Sequence, residues 1–139
     1  MTPPDFRQQV TFCYVPDLAA AATFYEKVLG LPLVLDQGAC RIYQVTPAAF
    51  IGFCTSTTNV QAREASGVIL TLVVDGREAV DAWAEHLRAE GHGRWIERDP
   101  ALNERFNIYH LFLRDPAGYM VEIQAFLDSD WPGVGSENG

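Results

Sequence analysis

The side chains best suited to chemistry lie near the end of the chain, in Ile108-Tyr-His-Leu-Phe-Leu-Arg114 and Met120-Val-Glu-Ile-Gln124. Between them, Asp115-Pro116-Ala117-Gly118 suits a type I turn, with Pro at its second position and Gly free to take the left-handed conformation of a three-residue hairpin loop. That turn sets 115 against 119, 114 against 120, 112 against 122 and 110 against 124. Strand alternation then separates two faces. Tyr109, Leu111, Leu113, Val121 and Ile123 form an apolar face that should pack beneath helices. His110, Phe112, Arg114, Met120, Glu122 and Gln124 form a mixed face.

Glu122 is thus a carboxylate on a largely apolar floor, where loss of solvent disfavours its charge unless a cation or donor compensates. It could act as a general base, as a lone metal donor or as the anchor for a cationic ligand group. It could equally be salt-bridged to Arg114 or Arg41, holding the sheet together. His110 could serve as an acid/base partner or hydrogen-bond a ligand near neutral pH, or it could be a sheet histidine bonded to Gln124. His86 lies in a charged helical segment and His92 in the Gly91-His92-Gly93 turn, so neither competes for this role.

The elements that position these groups occur twice. Val10–Val15 (VTFCYV) reads as a strand broken by Pro16-Asp17, with Asp17 placed as a helix N-cap. Leu18, Ala21, Ala22, Tyr25 and Leu29 then recur at helical spacing until Gly30 and Pro32. Apolar runs follow near 32–36, 40–46 and 49–55. The second half repeats this grammar: VILTLVV from Val68 to Val74, a cap at Asp75, a helical stripe of Val80, Trp83, Ala84 and Leu87 ending at Gly91, and runs near 94–98, 107–114 and 119–126. An α+β chain of two βαβββ modules, about 8–57 and 67–127, is expected. A polar linker at 58–66 joins them, and a flexible tail follows from Ser129 to Gly139.

Val15-Pro16-Asp17-Leu18, Phe24-Tyr-Glu-Lys-Val-Leu-Gly-Leu31 and Arg114-Asp-Pro-Ala-Gly-Tyr-Met-Val-Glu-Ile123 together resemble the vicinal oxygen chelate superfamily. That group includes glyoxalase I, extradiol dioxygenases, fosfomycin-resistance transferases and bleomycin-resistance binding proteins. The resemblance implies eight strands curled into an incomplete barrel around a cup, commonly in a homodimer. Many members hold a divalent metal in the cup through His, Glu or Gln. The first such position lies seven residues before Asp17 and is Val10; the second module offers Val68 or Ile69, and the fourth-strand position falls at Gly52. Only Glu122 keeps a ligand type, short of the three protein donors of a facial triad.

If Val10 faces that cup, Phe12 and Tyr14 do so too, and with Phe50, Phe112 and Met120 they make an oxygen-poor lining suited to a flat organic ligand, or a plain core. Gly52 would leave the floor open. The segment from Asp99 to Phe106 reads as a polar loop able to close over the mouth, with Asn103, Glu104 and Arg105 as candidate contacts.

Composition narrows the partners. The 139 residues carry 10 Lys+Arg against 18 Asp+Glu, a formal charge of −8, which would repel a nucleic-acid backbone or an anionic membrane. The 48% hydrophobic content is that of a globular core. Cys13, Cys40 and Cys54 lack metal-ligand spacing and read as buried thiols of a reducing compartment. Met1-Thr-Pro-Pro-Asp5 has no basic or apolar leader region, so a cytoplasmic protein is expected. Phosphate-binding loops, nucleophile elbows and HExxH are absent from the sequence. The leading expectation is a small-molecule binder without the usual metal triad, anchored at Glu122, with Gln124 beside it. The rival is an isomerase, lyase or dioxygenase using Glu122 as base or a nonstandard metal set that could include His110 and Tyr14.

Overall fold

A computed structural model describes residues 2–55 and 67–133. The expected linker at 58–66 lies outside the described residues, as does the tail beyond Gly133. The chain divides into two units, Met1–Glu64 and Ala65–Gly139, each holding one βαβββ module.

The first unit runs β1 (Gln9–Tyr14), α1 (Leu18–Thr23), β2 (Leu33–Asp36), β3 (Cys40–Thr46) and β4 (Ala49–Cys54). Asp17 caps α1 as expected: its carboxylate accepts from the Ala20 amide at 3.1 Å. The helix then widens into a π turn over Phe24–Val28, closed by Leu29 N–H donating to the Phe24 carbonyl. That turn buries Phe24, Tyr25 and Val28 together, and Tyr25 stacks on Phe53 with ring centroids 4.2 Å apart. The sheet order is β1-β4-β3-β2, with β1 parallel to β4. Thr11, Cys13, Tyr43, Ile51 and Phe53 alternate toward the helix. Val10, Phe12, Tyr14, Phe50 and Gly52 take the opposite, open face.

The second unit runs β5 (Ile69–Val73), α2 (Arg77–Ala89), a short 3-10 turn at Gly93–Trp95, β6 (Ile96–Asn103), β7 (Ile108–Arg114) and β8 (Met120–Phe126). Its order, β5-β8-β7-β6, repeats that of the first, and both sheets are open. Val80, Ala84 and Leu87 of α2 are buried, as are Leu111, Leu113, Val121 and Ile123.

Three expectations are corrected. Asp75 does not cap α2. Gly76 holds that position at φ +92°, a backbone state that suits glycine, and the helix begins at Arg77. The stretch from Asp99 to Asn103 is not loop but the second half of β6, whose register slips twice. Pro100 is tolerated because β6 is an edge strand. Cys40 and Cys54 are not thiols: they are cross-strand partners in β3 and β4 and form a disulfide, while Cys13 is a buried thiol. A separation of 14 residues carries no signal by itself. Only the β3–β4 register reveals the adjacency, and it removes the cysteine argument for a reducing compartment.

Candidate functional site

The β7–β8 hairpin has the register read from its turn. His110 faces Gln124, Phe112 faces Glu122 and Arg114 faces Met120. Asp115 fixes the turn: its Oδ1 accepts from the Ala117 amide at 2.9 Å and from the Tyr119 amide at 2.8 Å, while Gly118 adopts φ +98°.

Glu122 is 7% exposed, on the face of β8 turned away from α2. Its carboxylate is held from three sides. Thr71 Oγ1 on β5 donates to Oε1 at 2.7 Å, and His110 Nδ1 lies 2.5 Å from Oε2. The amide of Gln124, with its NH2 turned toward the carboxylate, donates to Oε1 at 3.2 Å and also to Oε2. These donors offset the loss of solvent that burial imposes on a carboxylate. Gln124 and Thr71 between them can supply hydrogens to both carboxylate oxygens.

Arg114, considered as a salt-bridge partner, does not reach Glu122. Arg114 makes a two-pronged pair with Glu97, Nε to Oε1 and Nη2 to Oε2, both at 2.7 Å. Its hydrogen bonds hold the Glu97 carboxyl below the usual carboxylate range, and Glu97 in turn raises Arg114. Arg41 pairs with Asp36 at 3.5 Å. Nor does Gln124 engage His110, since its amide turns to Glu122 instead.

Phe112 lies beside the dyad, its ring centroid 4.7 Å from that of His110. Above Phe112 sits the Arg98 guanidinium of β6, 5.6 Å from the ring centroid. Met120 and Ile69 pair on the same face one row along. The structure therefore brings together His110, Glu122, Gln124, Phe112 and Met120, and it adds Thr71 and Arg98, which the sequence reading missed. Thr71 did leave a signal: it is the one polar side chain in Ile69–Val73, on the face that Ile69 and Val73 share. Arg98 gave none, because the slipped register of β6 hides its face.

Phe12 and Tyr14 are on the open face of the first unit, 51% and 41% exposed, with Phe50 half-buried on the next strand. Arg105 occupies the exposed turn between β6 and β7 and lays its guanidinium 5.1 Å from the Phe106 ring.

The residues do not fit a divalent metal held in the superfamily's usual way. Val10, Gly52, Val68 and Ile69 offer no side-chain donor, and Glu122 meets one histidine only. Among the described residues no three His, Cys, Asp or Glu side chains come together. No described helix is long and apolar enough to cross a membrane.

The family model of the Glyoxalase/Bleomycin resistance protein/Dioxygenase superfamily matches residues 7–123. The structure is similar to a glyoxalase/bleomycin resistance protein/dioxygenase from Nocardioides, at 20% identity and TM-score 0.71, covering 96% of this chain and 91% of that one. It is also similar to lactoylglutathione lyase from Agrobacterium tumefaciens, at 24% identity and TM-score 0.67 over 89% and 96% of the two chains. A glyoxalase-related enzyme from Fulvimarina pelagi gives 20% identity and TM-score 0.66 over 91% of each. At such identities the likeness is one of fold. A search of curated proteins finds no match. With its duplicated modules and a match running through both of them, the chain belongs to the glyoxalase/bleomycin resistance protein/dioxygenase superfamily.

Proposed function

We propose that this protein binds a small organic molecule without a metal, on the open face of the second module. One observation carries the reading. Glu122 is buried on a face lined by Phe112 and Met120, yet its partners are Thr71, His110 and Gln124 rather than an arginine that would make it part of a structural ion pair. A polar cluster preorganised on an apolar surface is the usual make-up of a small-ligand site, the apolar part supplying area and the polar part orientation. The donor set supports the metal-free reading, and the resemblance supports a homodimer. With a charge of −8, nucleic acid is a poor partner.

Native mass spectrometry of freshly purified protein tests the reading. Expected are a dimer mass, no stoichiometric metal, and a retained organic mass that Glu122→Gln protein loses. Stoichiometric metal lost together with an activity on chelation would instead support the alternative, an isomerase, lyase or dioxygenase with a nonstandard metal set. Retention unchanged by Glu122→Gln would remove Glu122 from the site.

A further inference from the structure

Resting on the ligand-binding reading above, we infer that His110 Nε2 is a proton acceptor in this face and that its ligand is an apolar molecule with one ionisable O–H, bound as the anion beside Arg98. Glu122 is a positioning residue.

Glu122 Oε1 accepts from Thr71, and both of its oxygens face the Gln124 amide, so the carboxylate has no need of a proton of its own. A bare imidazole nitrogen would not lie 2.5 Å from a carboxylate oxygen, so Nδ1 carries the hydrogen that donates to Oε2. In the neutral ring the lone pair is then on Nε2. Among the described residues no hydrogen bond engages Nε2, and it is not one of the buried atoms left unpartnered. The His110 side chain is 14% exposed, and Nε2 is the ring nitrogen turned away from the Glu122 carboxylate. Glu122 is thus placed as an orienting carboxylate: it fixes the tautomer and stabilises the imidazolium that proton uptake creates.

The charges around this atom choose the ligand. On β8 the facing charge is Glu122. On β6 it is Arg98, held over Phe112 in the row next to His110. On β5, Thr71 is neutral. When Nε2 takes a proton from a ligand O–H, the O–H bond breaks, its electron pair stays on the ligand oxygen, and the proton completes the imidazolium. His110 and Glu122 then form a neutral ion pair, and the ligand anion is balanced by Arg98. A ligand that arrived as a cation would meet Arg98 unfavourably. One with no acidic hydrogen would leave Nε2 without a donor.

The probe is 4-nitrophenol, whose anion has its own visible absorption, with 4-nitroanisole as the form that lacks the hydrogen. Both are titrated into the full-length protein at a pH where free 4-nitrophenol is mostly neutral. Binding should raise the phenolate band saturably. Arg98→Met, at an exposed position that leaves the core untouched, should weaken phenolate binding by about tenfold or more while leaving 4-nitroanisole unaffected. His110→Gln should bind 4-nitrophenol with no phenolate signal. Imidazole ¹⁵N shifts should place the hydrogen of free neutral His110 on Nδ1, and Glu122→Gln should reduce both that preference and the phenolate fraction. Binding of 4-nitrophenol in its neutral form, a phenolate band that survives His110→Gln, or a hydrogen found on Nε2 each overturns the proton-acceptor role while leaving the ligand site standing. Binding of neither probe overturns both.

Discussion

Thr71 and Glu122 stand directly opposite one another on parallel strands β5 and β8, and the Thr71 hydroxyl donates to Glu122 Oε1 at 2.7 Å. The bond ties the first strand of the second module to its last, so one side chain joins the module's two ends at the carboxylate. Thr71→Val keeps the shape and removes the donor. It is expected to lower stability by about 1 kcal/mol, the usual net worth of such a bond, with Thr71→Ser restoring most of it. Urea denaturation midpoints of the three proteins measure this. Equal midpoints for Val and wild type would mean that Gln124 and His110 suffice to hold the carboxylate.

Gly52 is a site of close approach in the first module. A Cβ placed there would lie 2.5 Å from Phe12 Cε1 and 2.6 Å from Cδ1, since the Phe12 ring covers β4 at that point. Phe12 is half exposed and can swing aside, so Gly52→Ala should cost on the order of 1 kcal/mol or less. The cost should vanish in a Phe12→Ala background, where the ring is gone. A double-mutant cycle reads the coupling directly. A cost that persists without Phe12 would place the obstruction at Ile42, whose Cγ1 would lie 3.4 Å from the added methyl.

How far the sequence could be read depends on the kind of interaction involved. The β7–β8 register and both of its faces were legible, because Asp115-Pro-Ala-Gly118 specifies a turn and the turn specifies every pair beyond it. The Asp17 cap was legible for the same local reason. The partners of Glu122 were not: Thr71 lies 51 residues away and reaches it through a parallel pairing that no local signal encodes. Arg98 and the strand nature of Asp99–Asn103 were hidden by Pro100 and charged residues, which read as loop but are allowed on an edge strand. The disulfide was hidden likewise, because its cysteines meet through register and not through spacing.

Tyr43 gives the protein an alkaline limit. Its side chain is fully buried, and its hydroxyl donates to Glu26 Oε2 at 2.7 Å. Burial first, then that hydrogen bond and the charge of Glu26, push the phenol well above its ordinary value of 10.0. The unfolded chain therefore releases this proton at lower pH than the folded one. The stabilisation is fully present below about pH 10 and is lost as pH rises toward the folded-state value. Denaturation midpoints should fall above pH 10, and Tyr43→Phe should fall less steeply there while being about 1 kcal/mol weaker at neutral pH. Tyr109, raised by its bond to Asp81, leaves a residual slope in that variant. Parallel curves for the two proteins would exclude Tyr43 as the source.

The Cys40–Cys54 bridge should make the first module depend on oxidation state. It closes a loop of 14 residues across the β3–β4 hairpin at the end where Thr55 N–H donates to the Ala39 carbonyl. By the chain-entropy estimate, closing a loop of that length restricts the unfolded state by up to about 3 kcal/mol. Because the hairpin pairs these residues without the bond, the reduced protein should still fold, with a lower denaturation midpoint. Denatured protein kept from reductant should show one reactive thiol per chain, Cys13, whereas prior reduction should expose all three cysteines. The paired change Cys40→Ser with Cys54→Ser should reproduce the reduced midpoint and become indifferent to reductant. Three thiols in the untreated protein would show that the pair stays reduced, and the stability of the hairpin would then rest on strand pairing alone.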